Sequence, residues 1–329
     1  MIFTKKKKKT EQERLEDRRD RILSRGNKFR YPLQFSKKNI ILATIIIGIL
    51  ATISMTGVLA WNLYHGQNTG DMMFRITKIF PLPVAKVKDI SVKFSDYLLL
   101  YRSSLVPIEK HGGQVGKNQD AEAMKTYYKR SALSSAEDLT YATLLAQEQG
   151  ISLSDEEISK EWEKQRSVGG IVRSEASFLK VLKDNFSLEK DEYLRIMTLN
   201  LLKIKVMEKI DEEARHTSAE VQNLLSTKAG DLQAVASELK DRIIYEETGG
   251  LVSNINVDGG RATVASKLEP GQISERFISN NGDGYYFVKV NEKNDKQVSY
   301  SSIKVPFREF DKQLTKIRND GGVTEYIKL

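Results

Sequence analysis

Residues 284–307 read GYYFVKVNEKNDKQVSYSSIKVPF. Apolar and polar side chains alternate at period two in GYYFVKV and again in VSYSSIKVPF, the pattern of half-buried strands. Upstream lie two more β-type pieces, ETGGLVSNI and ATVASKLEPGQIS, and a turn at Asn280-Asn281-Gly282-Asp283-Gly284. Short helices are predicted near 218–226, 231–240 and 307–319. Residues 214–329 therefore read as a small α+β module.

Moving further out, residues 120–213 are helical in pattern. Leu139, Ala142, Leu145 and Ala146 form a stripe that stops at Gly150. Ser154 and Glu157 spell a capping box, Ser174 and Ser187 read as the next two N-caps, and Gly169-Gly170 as a helix break. The stripe Leu194, Ile196, Met197, Leu201, Ile204 and Met207 reads as packed core rather than a binding groove. PLPVAKVKDISVKF alternates like a short strand or extended arm, with a helix starting at Ser95 or Asp96 and a polar loop over 108–119. Residues 83–213 form this helical module, and the boundary with the next falls near 213–217.

Residues 64–82, with Gly66, Gly70 and Pro81, read as a linker. Before it, Ile40 to Trp61 carries no charge and ends in Trp61 and Tyr64, the aromatics of a headgroup boundary. That stretch is too long for the apolar core of a signal peptide, so 39–63 is predicted to be an uncleaved transmembrane helix. Residues 1–38 hold 14 Lys/Arg against 5 Asp/Glu, which leaves 38 against 39 for the rest of a chain whose net charge is +8. The basicity, including Lys5 to Lys9, belongs to this arm. The positive-inside rule puts the arm in the cytoplasm and the modules outside the cell membrane, with the bilayer as a partner through 39–63. The charge is thus an orientation signal, and no nucleic acid is expected.

Two blocks resemble a known family. PVAKVKDISVKFSDYLL, LLAQEQGISLSDEEISKEW and GGIVRSEASFLKVLKDNFSLEKDEYLRIMTLNLLKIKV are similar to the helical chaperone module of the SurA/PrsA-like extracytoplasmic foldases, over about residues 83–210. AGDLQAVASEL, TGGLVSNI and LEPGQISERFIS…GYYFVKVNEK resemble the parvulin-type (PpiC) prolyl isomerase domain that follows in those chains. The resemblance implies an α+β architecture: one transmembrane helix, a SurA-N-like helical chaperone module and a small parvulin-like module. It also implies a peptide-binding set of Gly249, Gly250, Leu251, Leu268, Tyr286, Phe287 and Ser302.

The departures from the pattern bear on catalysis. Leu251 replaces the acidic residue of the glycine loop, and Tyr286 the histidine of the GYHI strand. GGRATVASKL offers no counterpart to the Met and Phe of the proline pocket. His216 lies near the expected opening strand, but RHTSAEV has no β pattern. VSYSSIKVPF reads either as that missing first strand, entering from the C-terminus with Ser302 at the histidine position, or as an added edge strand.

Prolyl isomerisation works against a barrier of about 20 kcal/mol by binding the twisted amide better than the planar one. It needs no cofactor and no metal, and none is implied here. With the His/acid network stripped, the module is expected to be weak or inactive, His216 and Tyr286 being the candidate catalytic residues. Zero cysteines exclude a thiol nucleophile or disulfide scaffold, and His65, His111 and His216 are too scattered for a triad or a multi-histidine metal site. The acidic runs Asp155/Glu156/Glu157 and Asp211/Glu212/Glu213 read as helix starts, and the DGG pieces at 258–260 and 320–322 as turns. Three functions stay open: a membrane-anchored chaperone for unfolded or exported polypeptides, an active isomerase, and a bitopic envelope scaffold. The sequence leaves the oligomeric state unknown.

Overall fold

Charge and apolarity separate along the first of two compact units, Met1–Asn62. The computed structural model describes residues 10–30, 37–110, 119–168 and 171–329; Lys5 to Lys9 and His111 lie outside them. Helix α1 (Glu11–Arg30) is rich in Arg and Glu, and α2 (Lys37–Ala60) is aliphatic. Among the described residues one helix, Ile41–His65, is long and apolar enough to cross a membrane. Its 25 residues rise about 37 Å, against a hydrocarbon core of about 30 Å. Thr52 and Thr56 donate their hydroxyls to carbonyls one turn back, at 2.8 and 2.7 Å.

The second unit is Leu63–Leu329. Here the segment expected to be a linker contains α3 (Asp71–Ile79), with Phe74 and Thr77 buried on one side. Gly70 and Pro81, read as linker residues, mark instead the two ends of this helix. Next come β1 (Pro83–Val87), β2 (Ile90–Lys93), α4 (Phe94–Lys110) and α5 (Gln119–Glu148). Helix α4 therefore starts just ahead of Ser95, while residues 111–118 of the expected loop lie outside the described residues. The α5 stripe is buried as its spacing requires.

Helix α6 (Asp155–Arg166) opens on the capping box, with Ser154 Oγ accepting the Glu157 N–H at 3.2 Å and Glu157 accepting the Ser154 N–H at 2.8 Å. Strands β3 (Ser167–Val168) and β4 (Ile171–Val172) flank the expected Gly169-Gly170 break, itself outside the described residues. Ser174 caps α7 (Glu175–Val181) as expected. Ser187 does not cap the next helix. Its φ of +54° and its N–H bond to the Lys183 carbonyl close the preceding π turn, and Glu189 caps α8 (Lys190–Ile210) instead.

Helices α9 (Glu212–Thr227) and α10 (Leu232–Leu239) lead into β5 (Ile244–Glu247) and β6 (Val252–Ser253). Helix α9 begins earlier than its expected start near 218 because Asp211 accepts the Ala214 N–H at 2.8 Å. The β-type reading of ATVAS is corrected: α11 (Arg261–Ala265) is helical, its start held by the Asp258 carboxylate, which accepts the N–H groups of Gly260 and Ala262 at 3.1 Å. Then follow β7 (Phe277–Ile278), β8 (Gly284–Lys293), β9 (Gln297–Pro306), α12 (Glu309–Asn319) and β10 (Val323–Glu325).

The fold is α+β, with antiparallel sheets of three, two and five strands. In the largest the order is β5–β9–β8–β7, with β6 also on β9. Strand β9 lies between β5 and β8, so it is an interior strand and not an added edge. One sheet face packs α11 through Ala262, Ala265, Val288, Val290, Val298 and Tyr300. The other meets α9 and α10.

The chain end returns to the helical layer. Phe310 of α12 lies 5.2 Å from the Tyr141 ring of α5, and β10 pairs with β1. Asp211, 4% exposed, is the one residue between α8 and α9. Its second oxygen accepts the N–H groups of Arg308 and Glu309 at 2.6 and 3.0 Å, so one carboxylate caps both α9 and α12.

Candidate functional site

Antiparallel register decides which expected side chains meet. Tyr286 stands opposite Phe277 and Lys304, and Val288 opposite Ser302, so these residues share the face that carries α11. Phe287 is one residue along and points to the other face. Leu268 is half-buried against the Val288/Val290 cluster. Gly249, Gly250 and Leu251 interrupt the strand edge between β5 and β6. His216 is exposed on α9, against the opposite face, so the structure does not bring it to Tyr286.

Around Tyr286 and Ser302 the polar groups are engaged with one another. The Arg261 guanidinium lies 5.5 Å from the Tyr286 ring and 6.0 Å from the Tyr300 ring. It donates to the Asp258 carbonyl at 2.9 Å and pairs with Glu246, and its Nη1 is 3.5 Å from Ser302 Oγ. The Tyr300 hydroxyl donates to Asp258 at 2.6 Å. Asp283 accepts the hydroxyls of Ser279 at 2.7 Å and Tyr286 at 3.2 Å, and pairs with Lys304.

Burial works to raise the Asp283 carboxyl, but the Lys304 ammonium and the Ser279 hydroxyl outweigh it and hold it below the usual range. Burial, then the Asp283 charge, raises the Tyr286 phenol. At neutral pH this is a protonated phenol beside an ion pair. Stabilising a twisted amide needs donors free to turn toward it; the donors named here already have acceptors within the protein.

Glu246, Asp258, Arg261, Asp283, Tyr300 and Lys304 are the members the sequence reading missed. The signal was present in the alternation of Tyr300, Ser302 and Lys304 along one strand. Reading it required the β8–β9 register.

An open cleft lies elsewhere. A cleft of about 540 Å³ runs between α6, α8 and the turn Asn280–Asp283. Its apolar wall is Ile196, Met197, Leu201, Ile204 and Met207, from the stripe read as core. Met197 and Met207 are buried as that reading expects, whereas Leu201 and Ile204 remain partly exposed. The rim carries the side-chain amides of Gln165, Asn200, Asn280 and Asn281 and the charged Glu161, Lys203, Asp283 and Asp311.

Two features shape this cleft. Gly282, at φ +68°, brings the turn so close to α8 that a Cβ there would sit 2.2 Å from Ile204 Cγ1. At the α6 end, Tyr193 donates to Gln165 at 3.0 Å and Gln165 to Glu161 at 2.6 Å. Burial, then the Glu161 charge, pushes the Tyr193 phenol up to about 12, so it stays a donor. Its ring also packs with Phe178 at 5.4 Å and Trp162 at 6.0 Å, which fixes the α6–α8 spacing.

A second groove of about 460 Å³ opens on the α9 side of the sheet, with Phe287, Leu225, Ile273 and Arg276 in its lining. Of the expected peptide-binding residues, Phe287 alone is placed there. Compared with known proteins, the chain matches no family model and no curated protein.

Proposed function

We propose that this protein is a membrane-anchored, extracytoplasmic chaperone that holds unfolded or newly exported polypeptides. The observation that carries the reading is the cleft between α8 and the Asn280–Asp283 turn. A wall of Ile196, Leu201 and Ile204 offers apolar area to any unfolded segment, about 25 cal/mol for each Å² removed from water. The amides on the rim offer donors and acceptors together, so they can pair with backbone groups whatever the side chains of the client. Such a site reads extended chain by shape and hydrophobicity.

The parvulin-like module is proposed to be catalytically weak or inactive, its former site closed by the Arg261, Asp258 and Asp283 contacts. The interior place of β9 beside β8 supports the reading in which a strand from the C-terminus takes the first-strand position. The helix Ile41–His65 supports the anchor, and the basic arm before it supports a cytoplasmic N-terminus.

The test uses the full chain in vesicles with an aggregating client. Suppression of light scattering is expected, lost in Leu201→Asp and kept in Tyr286→Phe. No suppression by the unmodified protein would overturn the chaperone reading. Prolyl turnover in a protease-coupled assay that falls in Tyr286→Phe would favour the isomerase instead.

A further inference from the structure

Helix α3 presents a face that its own unit leaves bare. Phe74 and Thr77 are 3% and 1% exposed and pack inward, whereas Met72 is 70%, Ile79 74% and Phe80 54% exposed. At 100° per residue, Ile79, Met72, Ile76 and Met73 cover an outward arc of about 120°, and Phe80 follows at the helix end. The charges are drawn to the flanks. Arg75 and Arg102 pair with Asp71 at 2.7 and 2.9 Å, and Lys78 pairs with Asp191 and Glu192 at 2.9 and 3.1 Å. A stripe without a charge is left, its centre the exposed Met72, Ile79 and Phe80 and its edge the half-buried Met73 and Ile76.

Chain length says what lies within its reach. The apolar helix that can cross a membrane ends at His65, and α3 starts at Asp71. The five intervening residues extend at most about 18 Å. We infer that the Met72–Ile76–Ile79–Phe80 face lies in the phospholipid headgroup–acyl boundary on the side of the bilayer where the span emerges. A helix there buries its apolar face about 5–10 Å into that boundary, and Arg75 at its margin can reach the headgroups. This inference rests on the reading of Ile41–His65 as a membrane span.

The absence of cysteine makes the test direct, because one introduced thiol carries a label uniquely. Nitroxides are placed singly at Ile79→Cys, Met72→Cys, Ile49→Cys and Val257→Cys in the full chain. The protein is reconstituted in vesicles of equal phosphatidylcholine and phosphatidylglycerol. Collisions with oxygen and with an aqueous nickel chelate are then measured. Labels at 79 and 72 are expected to favour oxygen over nickel, at a depth of about 5–10 Å. Val257, fully exposed, is expected to favour nickel.

If 79 and 72 behave like 257 while 49 reports the bilayer interior, the stripe faces water. The inference then fails and the span stands. Labels shielded from both reagents would mean that protein covers the stripe, which also overturns it. A nickel-accessible label at 49 removes the span and the inference together.

Discussion

Two polar surfaces within Leu63–Leu329 invite comparison: the sheet face around Tyr286 and the cleft against α8. Both contain Asp283, which reaches Tyr286 on one side and lines the cleft on the other. On the sheet face, Arg261, Tyr300, Asp258, Tyr286 and Lys304 find their partners within the protein. At the cleft rim, Asn200, Asn280 and Asn281 are exposed beside partly exposed aliphatics. Residues of similar polarity therefore do opposite things. Where charged groups and rings close on one another they rigidify a fold, and where polar side chains, amide and charged alike, border a gap they leave room for a chain.

The comparison can be broken most forcefully at Asp211, which holds α9 and α12 together. Asp211→Ala is expected to lose about 2–4 kcal/mol, two helix caps and a buried acceptor, read as a drop in the denaturant midpoint. Asp211→Asn should keep part of that. Next comes Gly282→Ala, expected to cost about 2–3 kcal/mol from left-handed backbone strain and the collision with Ile204. It should also weaken client protection more than its stability loss explains; unchanged protection would separate the cleft from holding.

Smaller effects are expected on the closed face. Tyr286→Phe should cost about 1 kcal/mol, one hydrogen bond to Asp283, with client protection unchanged. A large loss of protection would place the working surface on the sheet.

The smallest effect is a pH dependence. Because Asp283 has a depressed folded pKa, its contribution is present above the unfolded value near 4 and lost as pH falls through the folded one. Lys304→Met should flatten that acid limb of the stability curve.

The sequence made some of this legible and hid the rest for physical reasons. Period-two alternation located β8 and β9, and Ser154 with Glu157 marked α6, because strands and capped helices are written locally. Helix α3 was hidden by the glycines and proline at its ends. Helix α11 was hidden because ATVAS suits a strand until Asp258 caps it. Ser187 has the chemistry of a cap but takes a left-handed conformation that closes the preceding turn. The site was hardest to read. Tyr286, Ser302 and Leu268 do share a face, but Arg261 and Lys304 join them only through strand register. The cleft depends on Gly282 bringing a turn against a helix far back in the chain.

Strand β1 has one further consequence, for the order of folding. One of its two partners, β10, lies far downstream, and Gln67 donates to the Lys328 carbonyl 261 positions away. Closing a loop of that size costs entropy before any contact repays it. The segment next to the apolar helix is thus completed only by residues far downstream of it. Until β10 is in place β1 has only β2 beside it, so one edge of the three-stranded sheet stays open to any other strand that reaches it.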